Sequence, residues 1–368
     1  GLDGEWMVRS DLGYAHVHYD YDEVGNEVRV AYFNANGEPT QWTEGGYSSR
    51  KYTFENGEWV TVQYRDEKGN LVLGTSDGCA EIKRSFNELG QRISSRYYGT
   101  DGLPVINSKY FCAGFDYTYD EQGNQIDTWY IGLDGKRMVR SDLGYAHIHY
   151  DYDEVGNQVC VAYFDTDGKP ALWTEGGYSS REYMFENSTC IGVRYLDEKG
   201  DLVLRSDMGY AEERWGYNEL GQFISIRYYD TDGLPVINET YHCAGVDYAY
   251  NEQGNQTDTW YFGLDGQLLV RDDLGYAHVH YEYDAFGNET AVICYDAEGR
   301  LVERMPNGYA IRGAVYDNQG QLVMLSYFDK DGEPVNIAEG YSTIEYEYDA
   351  YGNMVNWVYR DTASAVVQ

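Results

Sequence analysis

The chain has 368 residues, of which 42% are hydrophobic, so it is long enough to bury one or more cores. Its formal net charge of −35, from 62 acidic and 27 basic side chains, excludes nucleic-acid binding through a broadly basic surface and disfavours docking on anionic membranes. The apolar runs are all too short for direct membrane insertion.

The composition predicts β-structure. The chain holds 40 Tyr and 42 Gly but only 6 Pro and 8 Trp. Tyrosine favours strands because it combines an apolar ring with a polar tip, and glycine favours turns. The sequence begins with Gly1 rather than Met and shows no leader segment, so we expect a monomeric fragment of a longer protein.

The opening stretch, GLDGEWMVRSDLGYAHVHYDYDEVGN, returns twice in nearly the same form. The copies begin at residues 132 and 263, so both steps are 131 residues. Similarity at a fixed internal period is the signature of a repeat protein. We therefore divide the chain into three blocks and a C-terminal tail, which are residues 1–131, 132–262, 263–360 and 361–368.

A shorter repeat lies inside each block. A turn that ends in Gly recurs every 32 or 33 residues, which makes eleven repeats, with four in each of the first two blocks and three in the last. The glycines are Gly4, Gly37, Gly69, Gly102, Gly135, Gly168, Gly200, Gly233, Gly266, Gly299 and Gly332. A repeat of this length cannot bury an apolar face alone, whereas stacking on its neighbours can.

Each repeat has the pattern of a short antiparallel meander. After a Gly-Tyr-Ala or Gly-Tyr-Ser step, alternate residues from Ala15 to Tyr21 are apolar or aromatic, as on a half-buried strand. A YDxxGN turn and a second strand in NEVRVAYF follow, and a shorter third strand is expected in segments such as WMVRS. The predicted fold is all-β, an elongated, β-solenoid-like or superhelical tandem array of eleven β-meander repeats, with the three strands of each repeat side by side.

Two motifs resemble known bacterial repeats. The YDxxGN turns, as in YDEVGN at 21–26 and YDEQGN at 119–124, resemble the tyrosine-aspartate repeats of Rhs-type and YD-repeat proteins. The segments YFDTDGKP at 163–170, YYDTDGLP at 228–235 and YFDKDGEP at 327–334 are similar to the hairpins of choline-binding and glucan-binding repeats in Gram-positive cell-wall-binding proteins. Both resemblances imply a secreted or cell-surface bacterial protein with an aromatic β-array.

Aromatic side chains are the candidates for ligand binding, because the C–H face of a sugar stacks on the broad ring of Trp or Tyr. Two pairs lie in WTEGGYSSR loop segments, and two further Trp lie in DTWY strand segments. The candidate residues are Trp42, Tyr47, Trp129, Trp173, Tyr178 and Trp260. The alternative is that these rings only pack between repeats.

Three Asp-x-Asp-Gly turns place two carboxylates beside a glycine and are the alternative candidates for a metal, namely Ca²⁺. No bidentate Glu follows them at the spacing of a calcium loop, and Asp-Gly is also a preferred hairpin turn. Turn formation alone is therefore the favoured interpretation, with no cofactor. The carboxylates are Asp165, Asp167, Asp230, Asp232, Asp329 and Asp331.

A His-x-His pair occurs once in each block. On a strand, both imidazoles of a pair point to the same face and could reach one Zn²⁺, but the sequence indicates no third ligand. The recurrence is explained by copying of the block, so no metal site is predicted. The pairs are His16 and His18, His147 and His149, and His278 and His280.

The six cysteines leave two interpretations open. Cys79 and Cys112 occupy the same position of adjacent repeats, and Cys160 and Cys190 lie on the same type of strand, so either pair could form a disulfide between repeats. The alternative is that they are small buried thiols at positions that tolerate either Tyr or Cys.

The sequence favours binding over catalysis. Catalytic signatures such as GxSxG, HExxH or a P-loop do not occur in strand–turn–helix context, and the acidic pairs sit in turns that are repeated along the chain. We therefore expect a non-enzymatic extracellular region that binds a surface polymer, a cell-wall or host glycan, through aromatic side chains. The alternatives are a passive stalk or spacer and a protein-binding adhesin repeat.

Overall fold

A computed structural model describes residues 7–367. Every regular element in this range is a β-strand, which confirms the all-β prediction. None of the described residues belongs to a helix that could cross a membrane. The chain forms two compact units, Gly1–Arg181 and Glu182–Gln368, and the boundary between them falls inside the second block of the sequence.

Both units are built from antiparallel strands. The strands up to the boundary are β1 (His16–Tyr21), β2 (Glu27–Phe33), β3 (Ser49–Glu55), β4 (Glu58–Arg65), β5 (Glu81–Phe86), β6 (Arg92–Tyr98), β7 (Gly114–Tyr119), β8 (Gln125–Ile131), β9 (His147–Tyr152), β10 (Gln158–Phe164) and β11 (Ser180–Glu186), which lies across it. The later strands are β12 (Thr189–Leu196), β13 (Glu212–Tyr217), β14 (Phe223–Tyr229), β15 (Gly245–Tyr250), β16 (Gln256–Phe262), β17 (His278–Tyr283), β18 (Glu289–Tyr295), β19 (Ile311–Tyr316), β20 (Leu322–Phe328), β21 (Thr343–Tyr348), β22 (Met354–Arg360) and β23 (Val366–Val367).

The repeat is a β-hairpin. In β17–β18, Val279 lies opposite Cys294 and Tyr281 opposite Val292, so the alternate apolar residues of both strands share one face. A bulge interrupts the register next to Tyr283. The same pairing, with the bulge at the same place, recurs in β1–β2, β5–β6, β7–β8, β9–β10, β13–β14, β15–β16, β19–β20 and β21–β22. The prediction of a tandem array of antiparallel β-repeats is therefore confirmed.

The YDxxGN turn closes each hairpin through its aspartate. The Asp284 carboxylate accepts hydrogen bonds from the backbone N–H of Phe286 at 2.8 Å and of Asn288 at 2.9 Å. The Asn288 side-chain amide donates a third bond to the same carboxylate, at 2.9 Å. Gly287 has a φ of +87°, a conformation that residues with a Cβ rarely adopt. The motif thus specifies an Asx-type turn. Its Asp accepts the hydrogen bonds, its Asn donates one of them from its side chain, and its Gly adopts the positive φ.

Successive hairpins pair with each other over fewer residues than the two strands within a hairpin do. Within a hairpin the register covers six positions, whereas β8 pairs with β9 at only three, which place Asp127 opposite His149 and Trp129 opposite His147. The connecting loops add a bond between repeats, since the Thr174 N–H donates to the carbonyl of Leu143 at 2.9 Å. Equivalent bonds join other neighbouring loops, such as Glu239 to Met208 and Met305 to Leu274.

The third strand of the meander differs from the prediction, because each repeat contributes two strands. The segment after β8 makes one isolated bridge, between Ile131 and Arg137, and one further bond from the Met138 N–H to the Tyr130 carbonyl at 2.9 Å. The chain then bends into a turn closed by the Gly144 N–H, which donates to the carbonyl of Arg140 at 2.8 Å. The segment WMVRS itself begins outside the described residues.

The core lies under the Gly-Tyr-Ala step. Tyr276, Val279, Val292 and Cys294 form one buried cluster, and half-buried rings such as Tyr261 pack against it. The Cys that replaces Tyr in three repeats is fully buried. None of the six cysteines is in a disulfide bond, so the disulfide alternative for Cys79 with Cys112 and for Cys160 with Cys190 is wrong. Burial raises the pKa of the Cys79 thiol to about 12.

At the C-terminal end, the predicted tail is partly structured. β23 pairs with β22, with Val366 opposite Arg360 and Val367 opposite Tyr359. The Asp361 carboxylate accepts the backbone N–H of Ala363 and of Ala365, both at 2.9 Å, so the tail begins with the same kind of turn as the repeats.

Candidate functional site

The two loop pairs predicted from the sequence pack as structural elements. Trp42 meets Tyr47 edge-on with ring centroids 5.6 Å apart, and Trp173 meets Tyr178 in the same way at 5.4 Å. Tyr47 is 5% exposed and Tyr178 is 0% exposed. A Cβ at Gly176 would lie 2.5 Å from the Trp173 ring, so the indole rests directly on that glycine. Sugar stacking on these rings stays a prediction, and at the two buried tyrosines it would require this packing to open.

The two strand tryptophans lie elsewhere. The Trp129 ring stacks on His147 with centroids 3.8 Å apart, and the Arg137 guanidinium lies 3.4 Å from the indole centroid. Trp260 stacks on His278 with centroids 5.0 Å apart. The structure thus brings Trp42 together with Tyr47 and Trp173 together with Tyr178, and it stacks each strand tryptophan on a histidine.

The predicted calcium turns are built like the YDxxGN turns. The Asp165 carboxylate accepts the backbone N–H of Asp167 at 2.8 Å and of Lys169 at 2.9 Å. Asp230 and Asp329 make the same bonds in their turns. Among residues 7–367, no third ligand residue joins Asp165 and Asp167, Asp230 and Asp232, or Asp329 and Asp331. The first Asp of each pair therefore has a structural role, and Ca²⁺ binding stays a prediction.

A cavity of about 600 Å³ in the first unit combines aromatic rings with arginines, and we call it the arginine groove. It spans the sheet face from β3 to β9. The Arg84 guanidinium lies 3.4 Å from the Trp59 centroid, and the Arg92 guanidinium lies 4.7 Å from the Tyr117 centroid. Its lining includes Tyr52, Trp59, Arg84, Arg92, Tyr97, Tyr110, Phe115, Tyr117, Tyr130, Arg140 and Tyr150.

The arginine groove carries unbalanced positive charge. Among the described residues, Arg84 and Arg92 form no ion pair with a carboxylate, whereas Arg140 in the same lining pairs with Asp142 at 2.5 Å. The single carboxylate of the lining, Asp77, accepts a hydrogen bond from the Tyr64 hydroxyl at 3.0 Å. Burial, and then the charge of Arg92, lower the pKa of Arg84. An anion in the groove would raise the pKa of Arg84 again, because a nearby negative charge stabilises the charged guanidinium against both influences.

Sequence reasoning missed these arginines because it followed the recurring residues. Arg84 occupies the position held by Tyr117 and Tyr150 in neighbouring repeats, on the face that the period-2 pattern assigns to the core. Its register partner Ser95 and the alternation of β5 show that it points to that face. The signal was present as a departure from the repeat, a charge where nearly all the other repeats have an aromatic ring.

A second cavity, of about 580 Å³, occupies the equivalent face of the second unit and contains a carboxyl group. Glu213 stands where Ile148 stands in the second block's first repeat, and it accepts a hydrogen bond from the Tyr210 hydroxyl at 3.3 Å. Burial raises the pKa of Glu213. The rings around it include Trp215, Tyr217, Phe223, Tyr228, Tyr241 and Tyr248.

Two of the three His-x-His pairs acquire a third polar partner. The Asp127 carboxylate lies across the strand pair from His147 and His149, and Asp258 lies in the same way across from His278 and His280. These aspartates belong to the DTWY segments, in which the sequence had singled out only the tryptophans. For the pair in the first block, the position equivalent to Asp127 would lie upstream of residue 1.

Comparisons with known proteins give matches among solved structures only. A scan against protein-family models finds no match, and a search of curated proteins finds none. The chain is similar to a chain in the crystal structure of TcdB2-TccC3-TEV, with 13% identity over 95% of this chain and 16% of that one, at a TM-score of 0.33. It is also similar to a chain in the Tc holotoxin pore of Photorhabdus luminescens with the TccC3 mutation D651A, with 13% identity over 95% and 20% of the two chains, at a TM-score of 0.28.

These likenesses are weak and partial. The chain spans 16% and 20% of the length of these two chains, and both TM-scores are below 0.5. What this chain binds is therefore inferred below from its own side chains.

Proposed function

We propose that this chain is a non-enzymatic, extracellular bacterial binding region that holds an acidic polysaccharide in the arginine groove. The observation that supports the proposal is the pair Arg84 and Arg92, two half-buried guanidiniums without a carboxylate partner among the described residues, in a chain of net charge −35. A protein this acidic has carboxylates available for ion pairs, so two unpaired arginines in an aromatic cavity indicate space for an external anion.

The chemistry of the groove suits a uronic acid or another carboxylated sugar. Arg84 is stacked on Trp59, which leaves the N–H edge of its guanidinium available for a bidentate bond to a carboxylate. The rings of Tyr52 on β3 and Tyr117 on β7 offer apolar faces to the C–H side of a pyranose at separate points of the groove. Because its lining comes from seven strands, β3 to β9, the groove can take more than one sugar of a linear chain.

The test is binding of acidic oligosaccharides to the purified chain, measured by calorimetry. We expect oligogalacturonate to bind and uncharged oligosaccharides of the same length to bind at least ten-fold more weakly. Arg84→Gln should weaken oligogalacturonate binding roughly 10- to 100-fold, because a hydrogen bond to a charged group is worth about 1.5–3 kcal/mol.

The matched control is Lys199→Gln, which removes the same charge from an exposed turn of the second unit. If Lys199→Gln weakens binding as much as Arg84→Gln does, the effect is global electrostatics and the groove is not the site. Equal binding of neutral and acidic sugars would also contradict the proposal.

Two alternatives remain from the sequence, a passive spacer and a protein-binding adhesin. Failure of all the sugars to bind at millimolar concentration would favour them over the glycan proposal. Retention that depends on Trp42 or Trp173, with Arg84→Gln unchanged, would place the glycan on the loops instead.

A further inference from the structure

Two histidines in each of the later blocks converge on a single carboxylate oxygen. Oδ1 of Asp127 lies 2.6 Å from Nε2 of His147 and 2.8 Å from Nδ1 of His149. The cluster connects β8 to β9, two strands that belong to different repeats and share only three register positions. It therefore lies at the joint between the first and second blocks.

The same cluster forms again at the joint between the second and third blocks. Oδ1 of Asp258 lies 2.8 Å from Nε2 of His278 and 2.8 Å from Nδ1 of His280. The surroundings differ, since Leu268 stands where the first cluster has Arg137. The three ligand residues and the nitrogen that each histidine presents are nevertheless the same. The arrangement therefore does not depend on which residue occupies this neighbouring position.

The donor atoms are spaced as a small divalent ion requires. In each cluster two imidazole nitrogens and one carboxylate oxygen lie within 4.8 Å of one another. Around a tetrahedral ion with bonds of about 2.0–2.1 Å, such donors stand roughly 3.3 Å apart. Each distance between Oδ1 of Asp127 and an imidazole nitrogen would have to lengthen by about half an ångström to reach that spacing.

Further groups orient the ligands of the first cluster. The second nitrogen of His149, Nε2, lies 3.1 Å from Oδ1 of Asp151, a carboxylate that can hold the proton of the ring on the side away from an ion. The Thr118 hydroxyl donates to Oδ2 of Asp127, which leaves Oδ1 facing the imidazoles. Nδ1 of His147 is buried with no hydrogen-bond partner among the described residues, so Nε2 is the nitrogen that this ring presents.

Each cluster opens on a cleft through which an ion and its water can pass. His149 lines a cavity of about 690 Å³ in the first unit, and His280 lines one of about 610 Å³ in the second. Three protein ligands with an accessible fourth position are the usual arrangement for a zinc ion that keeps a water molecule.

An ordinary ion pair is the competing explanation. Elsewhere the chain joins β12 to β13 through Arg194 and Glu212, at 2.8 Å and at the register position that Trp129 and His147 occupy. An arginine–carboxylate pair needs one residue from each strand. Glu212 has a second partner in Arg214, but the two guanidiniums use different carboxylate oxygens. Both imidazoles of the histidine cluster instead share one oxygen, and donors that converge on one point are what a metal site requires.

We propose that Asp127, His147 and His149, and separately Asp258, His278 and His280, each bind one divalent transition-metal ion of the zinc type. Imidazole with a single carboxylate favours Zn²⁺, Co²⁺ or Ni²⁺ over Ca²⁺ and Mg²⁺, which prefer sites made entirely of oxygen. The bound ion links neighbouring repeats where the backbone ladder is shortest, at the two joints between blocks.

The test is titration of the metal-free full chain with ZnCl₂ in the presence of excess CaCl₂. Calcium occupies the exposed carboxylates of this acidic chain and leaves imidazole sites available. About two Zn²⁺ per chain are expected, about one for Asp127→Asn or Asp258→Asn, and none for the double variant at the same Zn²⁺ concentrations.

The matched control is His18→Gln, in the first-block pair that has no cross-strand aspartate within this sequence, and it should leave the stoichiometry at two. His280→Gln, at a half-buried ring, provides a second way to remove one site if an aspartate variant fails to fold. Loading with Co²⁺ should give the intense visible bands of a four- or five-coordinate ion, and these should disappear in the double variant. Unchanged stoichiometry in the double variant, or loss of all Zn²⁺ binding under excess Ca²⁺, would overturn the proposal.

Discussion

The phenol of Tyr283 donates a hydrogen bond of 2.8 Å to the backbone carbonyl of Gln256. Tyr283 is the tyrosine of a YDxxGN turn, and Gln256 begins the second strand of the preceding hairpin. The tyrosine of this motif therefore joins its own repeat to the one before it. The same bond links Tyr119 to Arg92, Tyr152 to Gln125, Tyr250 to Phe223, Tyr316 to Glu289 and Tyr348 to Leu322.

Removing this hydroxyl should weaken the joint between repeats. Tyr283→Phe keeps the ring and leaves the Gln256 carbonyl without its partner, so we expect a loss of about 1 kcal/mol in the free energy of unfolding. The guanidinium midpoint measures it. Tyr21→Phe is the control, because Tyr21 holds the same position in the first repeat and is 61% exposed. An equal loss in both variants would mean that the interaction with Gln256 contributes nothing.

Two glycines of one repeat should differ in their tolerance of alanine. Gly144 and Gly156 have similar positive φ values, +85° and +89°. A Cβ at Gly156 would meet nothing within 4 Å, whereas a Cβ at Gly144 would lie 2.7 Å from the Leu172 carbonyl oxygen of the next loop. Gly156→Ala should cost about 1 kcal/mol from backbone strain alone, and Gly144→Ala should cost clearly more. Equal costs from chemical denaturation would show that the loops do not pack this closely.

The stability of the second unit should depend on the charge of Glu213. Because burial raises the pKa of Glu213, the folded state prefers its protonated form. That preference stabilises the fold at pH values below the ordinary glutamate range and is lost as the pH rises through the raised pKa. Glu213→Gln should therefore increase the melting temperature at neutral pH, by roughly 2–4 °C for each kcal/mol gained, and have no effect at low pH.

The control for this prediction is Glu219→Gln, at an exposed turn position of the same hairpin. It should leave the melting temperature within error at every pH. A benefit of Glu213→Gln that persists unchanged at low pH would contradict the charge explanation and point to packing instead.

Replacing Trp173 by alanine should lower the stability of the fold even when no ligand is present. Trp173 rests on Gly176 and meets Tyr178 edge-on, so Trp173→Ala removes a ring from the packed loop and should cost roughly 3 kcal/mol. Trp173→Phe should recover part of that loss. A ligand-binding role with no packing role would instead leave the unfolding midpoint of Trp173→Ala unchanged.

Much of the fold could be predicted because each local signal recurs. The alternation from Ala277 to Tyr283 and the Asp284 turn are readable within one repeat, and the period confirms them across the chain. The loss of the expected third strand could not be predicted, since the residues of that segment alternate like those of the two real strands. Only the turn closed at Gly144 shows that the chain leaves the sheet after a single bridge.

The candidate sites were harder to predict for two physical reasons. Arg84 appears in the sequence as one more charged residue, and its significance depends on the face to which β5 turns it. Asp127 reaches His147 and His149 only through the register of β8 with β9, across a connection whose path the sequence does not reveal. Long-range register is set by the packing of the intervening loop, so spacing along the chain does not disclose it.

The joints between blocks have a consequence for how such a gene can change. β8 meets β9 with Asp127 opposite His149, and β16 meets β17 with Asp258 opposite His280. Unequal crossing-over that deleted residues 132–262 would set β8 beside β17 and recreate the same joint from existing parts. Duplication of the block would add a further copy of the same joint. The number of blocks is therefore a quantity that recombination can alter in steps of 131 residues without any new interface having to evolve.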